Sequence, residues 1–334
     1  MLSSFSTPAL LALFAFAAGV VWFAGVQLVR ATDALDERLG IGEALGGAIF
    51  LAFVTNLPEI AVVASGALRG DLAVAVGNLL GGIAAQTVVL ALLDARGRGT
   101  PLISRASSRS LVIEAVLVLV LLAICLAGAR VPDTWRFLGA FPPELAIAGL
   151  WIAGVFVISR IRRAKPSSGK IQLPGRRLFT LRRSIVILIA GGIATLAGGV
   201  ALEATSQLLA ERWHLGGAVF GATVLAAATS LPEISTGWAA IRLKADEMAV
   251  SDVLGGNAFL PVLLLEASLL SGHATLPQAK PTDLYLAGLG FLLTLVYLAG
   301  LLIRSQRRIA GLGPDSLAVL VLYALGIGGL FLFR

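Results

Sequence analysis

The sequence predicts an all-α integral membrane protein: ten transmembrane helices forming two inverted five-helix repeats, with helices 2 and 7 broken. Three observations predict it. The 334 residues are 57% hydrophobic and 13% charged, whereas a soluble domain carries about 25% charged residues. Ten apolar stretches reach the length needed to cross a bilayer. Two segments 174 residues apart nearly repeat each other: Thr55-Asn56-Leu57-Pro58-Glu59-Ile60 and Thr229-Ser230-Leu231-Pro232-Glu233-Ile234, identical at five of six positions.

The spans follow in order. Span 1 covers about 9–30; it is apolar from Ala9 to Val29 and lacks a preceding basic segment, so it reads as a membrane helix rather than a secretory signal. Span 2, about 42–68, holds the first repeated motif. Its Pro58 has no N–H and clashes with the carbonyl one turn back, which frees the carbonyl of Val54. Span 3, about 72–94, offers a small-residue face at Gly77, Gly81 and Gly82, which allows close helix approach. Span 4, about 110–129, contains the single cysteine, Cys125, a small core residue that leaves no internal disulfide possible. Span 5 covers about 143–160. A linker follows, with Pro166-Ser167-Ser168-Gly169, Pro174-Gly175 and nine basic residues from Arg160 to Arg183.

Spans 6 and 7 cover about 184–205 and 215–242; in span 7, Pro232 frees the carbonyl of Ala228 as Pro58 does for Val54. Span 8, about 247–271, repeats the small face at Ser251, Gly255 and Gly256. Spans 9 and 10 cover about 283–303 and 315–333. The expected organisation is a first repeat at 1–160, a basic cytoplasmic loop at 161–183, and a second, inverted repeat at 184–334.

Charge sets the orientation. Of the 26 Lys and Arg residues, 20 fall on the side of loops 1–2, 3–4, 5–6, 7–8 and 9–10. The positive-inside rule then places both termini outside and the 161–183 loop in the cytoplasm, where it anchors orientation and can meet anionic lipid. The net charge of +7 reflects this topology and not nucleic-acid binding. A bacterial inner (plasma) membrane fits the compact chain. Five spans per half is odd, so the second half enters the membrane from the opposite side. At the offset of 174, Thr55 pairs with Thr229, Glu59 with Glu233, Gly81-Gly82 with Gly255-Gly256, and Asn78 with Asp252.

A carboxylate inside a membrane is costly and marks function. Glu59 and Glu233 each lie four residues after a threonine, which puts hydroxyl and carboxylate on one helical face. Two such copies supply carboxylate, hydroxyl and freed carbonyl oxygens in the number Ca²⁺ takes. No Cys or His lies near them, which argues against Zn²⁺ or Cu; His214 and His273 sit near helix ends. Asn78, Gln86, Ser251, Asp252 and Asn257 are positioned either to complete a coordination shell or to hydrogen-bond between helices. Glu114, Glu203 and Glu266 lie nearer predicted helix ends, where headgroups or water are expected to reach them. No nucleophile–base pair or phosphate loop suggests an enzyme, and no cofactor is expected beyond the transported ions.

These motifs resemble the two alpha repeats of the calcium/cation antiporter superfamily, which contains the sodium/calcium exchangers. Thr55-Asn56-Leu57-Pro58-Glu59 and Thr229-Ser230-Leu231-Pro232-Glu233 are similar to its Thr-Ser-x-Pro-Glu signature. Gly77-Asn78-Leu79-Leu80-Gly81-Gly82 and Asp252-Val253-Leu254-Gly255-Gly256-Asn257 resemble its Gly-Asn-x-x-Gly-Ser-Asn signature. The resemblance implies Ca²⁺ movement against a monovalent cation by alternating access. Glu59 and Glu233 would be the central ligands, with Thr55 and Thr229 beside them. Asn56, Ser230, Val54, Ala228, Asn78, Gln86, Asp252 and Asn257 complete the candidate set.

Departures bear on the counter-ion. Gly82 and Gly256 stand where sodium-coupled members usually carry serine, and Leu260 where an Asn or Asp is expected, so sodium sites are depleted. Gln86 and Asn56 resemble proton-coupled members, while both Thr-x-Leu-Pro-Glu cores resemble the sodium branch. The charge of two carboxylates is balanced by one Ca²⁺ or by two protons. The expected function is therefore Ca²⁺ exchange for H⁺ or Na⁺. The alternatives are antiport of Mg²⁺, Mn²⁺ or K⁺ on the same scaffold, or a non-transporting membrane sensor or scaffold.

Overall fold

The computed structural model describes residues 2–39, 53, 56–97, 99–137, 140–164, 180–242 and 244–330, and its regular elements there are helical. They are α1 (Thr7–Leu39), α2 (Leu57–Arg69), α3 (Ala73–Arg96), the short α4 (Leu102–Ala106), α5 (Arg109–Gly128), α6 (Pro142–Ala164), α7 (Leu181–Arg212), α8 (Gly217–Thr229), α9 (Leu231–Arg242), α10 (Asp246–Ser271, with a 3-10 turn at Leu260–Val262), α11 (Pro281–Ile303) and α12 (Pro314–Leu330). Seven helices among the described residues are long and apolar enough to cross a membrane, and α8 with α9 makes an eighth if that bent pair is one span. The expected count of ten is not established by these lengths. Much of the predicted second span, with Val54 and Thr55, lies outside the described residues, as does most of the 161–183 loop; α12 has 17 residues.

Local chemistry sets the ends. Ser108 and Thr180 cap α5 and α7 by accepting the Leu111 and Arg183 N–H groups at 3.4 and 3.3 Å. Gly70, at φ 74°, ends α2 in the left-handed conformation that glycine adopts freely. Asp71 then accepts the Ala73 N–H at 3.1 Å and starts α3.

α3 is the most enclosed of the described spans, and its glycine face works as expected. A Cβ on Gly77 would meet Ala218 backbone at 2.6 Å, and one on Gly81 the Ala222 Cβ at 2.2 Å. Gly221 reciprocates, with the Val74 carbonyl 2.4 Å from where its Cβ would stand. This crossing coincides with a π-helical turn at Gly221–Leu225, a feature that often accompanies functional sites. By contrast, a Cβ on Gly255 would meet no described atom within 4 Å. The outward faces of α1 and α7 expose Phe16, Phe23, Ile189 and Ile193 at 60–70%, a band suited to lipid.

Polar ties fasten the ends. Buried Asp94 accepts the N–H groups of Leu102 and Gly313 at 2.8 and 2.7 Å and pairs with Arg308 at 2.9 Å. Arg105 holds Asp246 through two bonds of 2.9 and 3.0 Å, and these bonds keep its guanidinium even more firmly protonated than usual. At the other end, Glu144 accepts the Thr275 and Leu276 N–H groups at 3.0 and 3.3 Å.

Two acids expected near water are buried instead. Glu203 is 0% exposed, 3.0 Å from Arg69 and bonded by Ser65 at 2.9 Å; Glu114 is 3% exposed and pairs with Arg162. Partners on neighbouring helices substitute for solvent. Glu266 is only partly buried. His214 and His273 are exposed at helix ends, and Cys125 is buried, as expected.

The α3–α8 crossing predicts a contrast. Gly221→Ala forces helix backbones apart and is expected to cost about 1–3 kcal/mol, lowering the melting temperature in detergent. Gly149→Ala, where a Cβ meets nothing within 4 Å, is expected to leave it unchanged or raised.

Candidate functional site

The two acids occupy equivalent local structures. Asn56 precedes α2 with φ −98° and ψ 19°; Ser230 separates α8 from α9 with φ −84° and ψ 0°. Both lie in the sparsely populated bridge region. In each case a proline stands in the first turn of the new helix and the glutamate follows it. Proline is tolerated there because first-turn N–H groups have no helical partner. The chain bends by 43° between α8 and α9. Glu59 and Glu233, 1% and 6% exposed, therefore sit at the positive ends of helix dipoles inside the bundle.

Paired contacts hold these breaks. A Cβ on Gly25 of α1 would stand 3.0 Å from the Pro232 ring, and one on Gly199 of α7 would stand 2.8 Å from the Pro58 carbonyl. Gly25 and Gly199 are separated by the same offset as Pro58 and Pro232. Each long helix thus rests on the proline of the other half.

The remaining candidates gather from four directions. Thr229 ends α8; its hydroxyl donates to Asn78 Oδ1 of α3 at 3.4 Å and lies beside the Ala226 carbonyl at 3.3 Å. The same residue faces Glu59. Gln86 is about two turns further along α3 than Asn78. The position of a Cβ on Gly256 of α10 lies 3.4 Å from Gln86 Oε1 and 3.9 Å from Asn56 Oδ1, so α2, α3 and α10 converge there. Asn257 donates through Nδ2 to Thr87 Oγ1 at 3.0 Å, and Thr87 in turn donates to the Ile83 carbonyl at 2.6 Å. Glu59 and Asp252 both lie close enough to Glu233 to act on it electrostatically. Asp252 is engaged by Thr236, whose hydroxyl donates to its Oδ2 at 2.7 Å.

The N–H of Ser230 reaches the Ala226 carbonyl at 3.0 Å, and Pro232, four residues after Ala228, has no N–H to give the Ala228 carbonyl. One expectation needs correction. Ser230 turns its hydroxyl back to the Ala226 carbonyl at 2.7 Å, which makes it part of the break. Val54 and Thr55 lie outside the described residues. Thr87 and Thr236 belong to the cluster and were not anticipated. Thr236 is three residues after Glu233 and so on a neighbouring face; nothing in the sequence marks Thr87 except its place beside Gln86.

The chemistry is one-sided. Both oxygens of Glu59, Oε2 of Glu233, Oε1 of Gln86 and Oδ1 of Asn257 are buried without a hydrogen-bond partner among the described residues. Each such group costs about 1–3 kcal/mol when left unsatisfied. Apart from Nδ2 of Asn78, a donor, the unmet groups are acceptors, and what acceptors lack is a proton or a cation. Among the described residues no group of three or more His, Cys, Asp and Glu side chains could hold a metal. A cation here would rest on two carboxylates with amide and hydroxyl oxygens, the donor set of a hard ion.

The family described as sodium/calcium exchanger protein matches the chain twice, over residues 9–159 and 183–332. The chain belongs to this family. It is therefore placed among exchangers, proteins of transport rather than catalysis. It is similar to the inner membrane protein YrbG of Escherichia coli, with 28% identity over 74% of this chain and 75% of that protein. Its fold is like that of the H⁺/Ca²⁺ exchanger CAX, with a TM-score of 0.72, 14% identity, and coverage of 95% of this chain and 81% of that one. It is also like that of the sodium-calcium exchanger NCX_Mj, with a TM-score of 0.63, 18% identity, and coverage of 97% and 99%. The chain is an integral membrane protein of the cation antiporter group.

The room beside Gly256 is directly testable. Gly256→Ser brings a hydroxyl toward Gln86 Oε1 and is expected to raise the melting temperature, by a bond worth about 1 kcal/mol. Gly256→Val, with no donor to offer, is expected to lower it.

Proposed function

We propose that the chain is a secondary active antiporter that moves Ca²⁺ across the membrane in exchange for H⁺ by alternating access. The observation that carries this reading is the buried set of unpartnered oxygens around Glu59 and Glu233. Ten spans in two inverted repeats, at 1–160 and 184–334 about the basic 161–183 loop, are part of the proposal. The twofold family match and the exchanged contacts at Gly25 and Gly199 support it. The basic loops argue for a cytoplasmic linker and external termini; the similarity to an inner membrane protein favours the bacterial inner membrane.

Glu59 and Glu233 would hold the ion at the centre, with Thr229, Asn78, Gln86 and Asn257 around them and Thr55 with the Val54 carbonyl completing the first half. Protons are favoured over Na⁺ because the extra oxygens of sodium-coupled relatives are missing. Gly82 has no side chain, and its nearest neighbour is a methyl of buried Leu260, 3.4 Å from where a Cβ would stand. With Asp252 engaged by Thr236, the two glutamates alone exchange one Ca²⁺ for two protons, and no net charge crosses.

Three outcomes follow for ⁴⁵Ca²⁺ flux in proteoliposomes. A pH gradient is expected to drive uptake and a Na⁺ gradient is not. Glu59→Gln with Glu233→Gln is expected to reduce flux to the level of empty vesicles. Clamping the membrane potential with valinomycin and K⁺ is expected to leave the pH-driven rate unchanged. Flux driven only by Na⁺ would overturn the choice of counter-ion, a voltage-dependent rate would overturn the electroneutral cycle, and no Ca²⁺ flux under either gradient would overturn the substrate.

A further inference from the structure

A second polar cluster lies between α5, α6 and α10, at the end that carries the basic loops. Ser110 and Glu114 stand one turn apart on α5, and Glu247 and Ser251 one turn apart on α10. The hydroxyls of Ser108 and Ser110 donate to Glu247 Oε1 at 2.7 and 2.8 Å. Glu114 is 3% exposed. One of its oxygens pairs with the Arg162 guanidinium, which also donates to the Ser251 hydroxyl. Its other oxygen, Oε2, is buried and has no hydrogen-bond partner among the described residues. Arg162 arrives from the last turns of α6 with 48% of its side chain exposed.

The balance of these groups is that of a cation site. Glu114 and the Ser251 hydroxyl hold the Arg162 guanidinium, Glu247 with its two serine hydroxyls lies one turn from Ser251 on α10, and one oxygen of Glu114 remains unsatisfied among the described residues. The cluster is also continuous with the centre. Ser251 adjoins Asp252, which accepts the Thr236 hydroxyl one turn beyond Glu233. A cation travelling between Glu233 and the basic face would meet Arg162 at the end of that polar track. A guanidinium there satisfies part of the carboxylate and excludes a second positive charge.

We propose that Glu114 and Ser251, with Glu247 beside them, form a peripheral divalent-cation site that Arg162 occupies as a tethered cation. A divalent ion binds when the guanidinium swings out toward water, for which its exposed position leaves room. Water would complete the oxygen shell that Ca²⁺ requires. The assigned role, a first stop for ions on the path to Glu59 and Glu233, rests on the antiport reading; the existence of the site does not.

Equilibrium ⁴⁵Ca²⁺ binding to the full-length protein in detergent separates the two. E59Q/E233Q is expected to lose the ion bound by the wild type, which tests the central site alone. Adding R162Q to that variant is expected to restore one bound ion, with a dissociation constant on the order of 1 mM, and adding E114Q is expected to abolish it. No restored ion in a folded R162Q background, or an ion that survives E114Q, would overturn the proposal. If the combined variant does not stay folded, the single variants decide. R162Q is expected to bind one ion more than the wild type and R162K none; equal stoichiometry in all three overturns the site. A wild type without bound Ca²⁺, paired with an R162Q variant that binds it, would overturn the central reading and leave the peripheral site standing.

Discussion

Two helix beginnings buried in an apolar bundle are the constraint on which the rest of this structure depends. A helix start leaves N–H groups unpaired, and inside a membrane no water can reach them. Proline removes one of those donors, and the carboxylate that follows it favours the positive end of the new helix. In both copies this local chemistry places the glutamate, Glu59 or Glu233, directly after the proline, in the first turn of the new helix. Their cost is then the reason for everything packed around them: acceptors without donors are stable in such a place only with a proton or a cation.

The bundle holds this arrangement by close backbone packing on one side and polar ties on the other. α3 presses glycines against α8 and brings Asn78 and Gln86 to the breaks. Asp94, Arg105 and Glu144 fasten the connections at the two ends, so the centre can remain short of hydrogen bonds while the periphery is well supplied. Glu203 finds Ser65 and Arg69, whereas neither carboxylate oxygen of Glu59 has a hydrogen-bond partner among the described residues.

How much of this was legible in the sequence varies with the range of the interaction. The break at Ser230 was legible because Pro232 acts on its own helix. The small face of α3 was legible as a glycine period, although its counterpart at Gly255 meets open space, since a glycine does not say whether a neighbour comes close. Burial of Glu203 was not legible: nothing near it in sequence announces that Arg69, on another helix, turns back to meet it. Thr87 and Thr236 were missed for the same reason, because a hydroxyl's partner is chosen by tertiary placement.

The contacts of Gly25 with Pro232 and of Gly199 with Pro58 have a consequence for biosynthesis. The ribosome delivers α1 early, but the surface on which Gly25 rests belongs to α9 and is made long afterwards. Until then the first half holds a proline break and an unpaired acid with no lid from α7. The newborn half-chain is thus a dependent object, in need of shelter by lipid or by the insertion machinery, and cutting the gene at the linker would yield two fragments, each carrying the helix that closes the other and lacking its own.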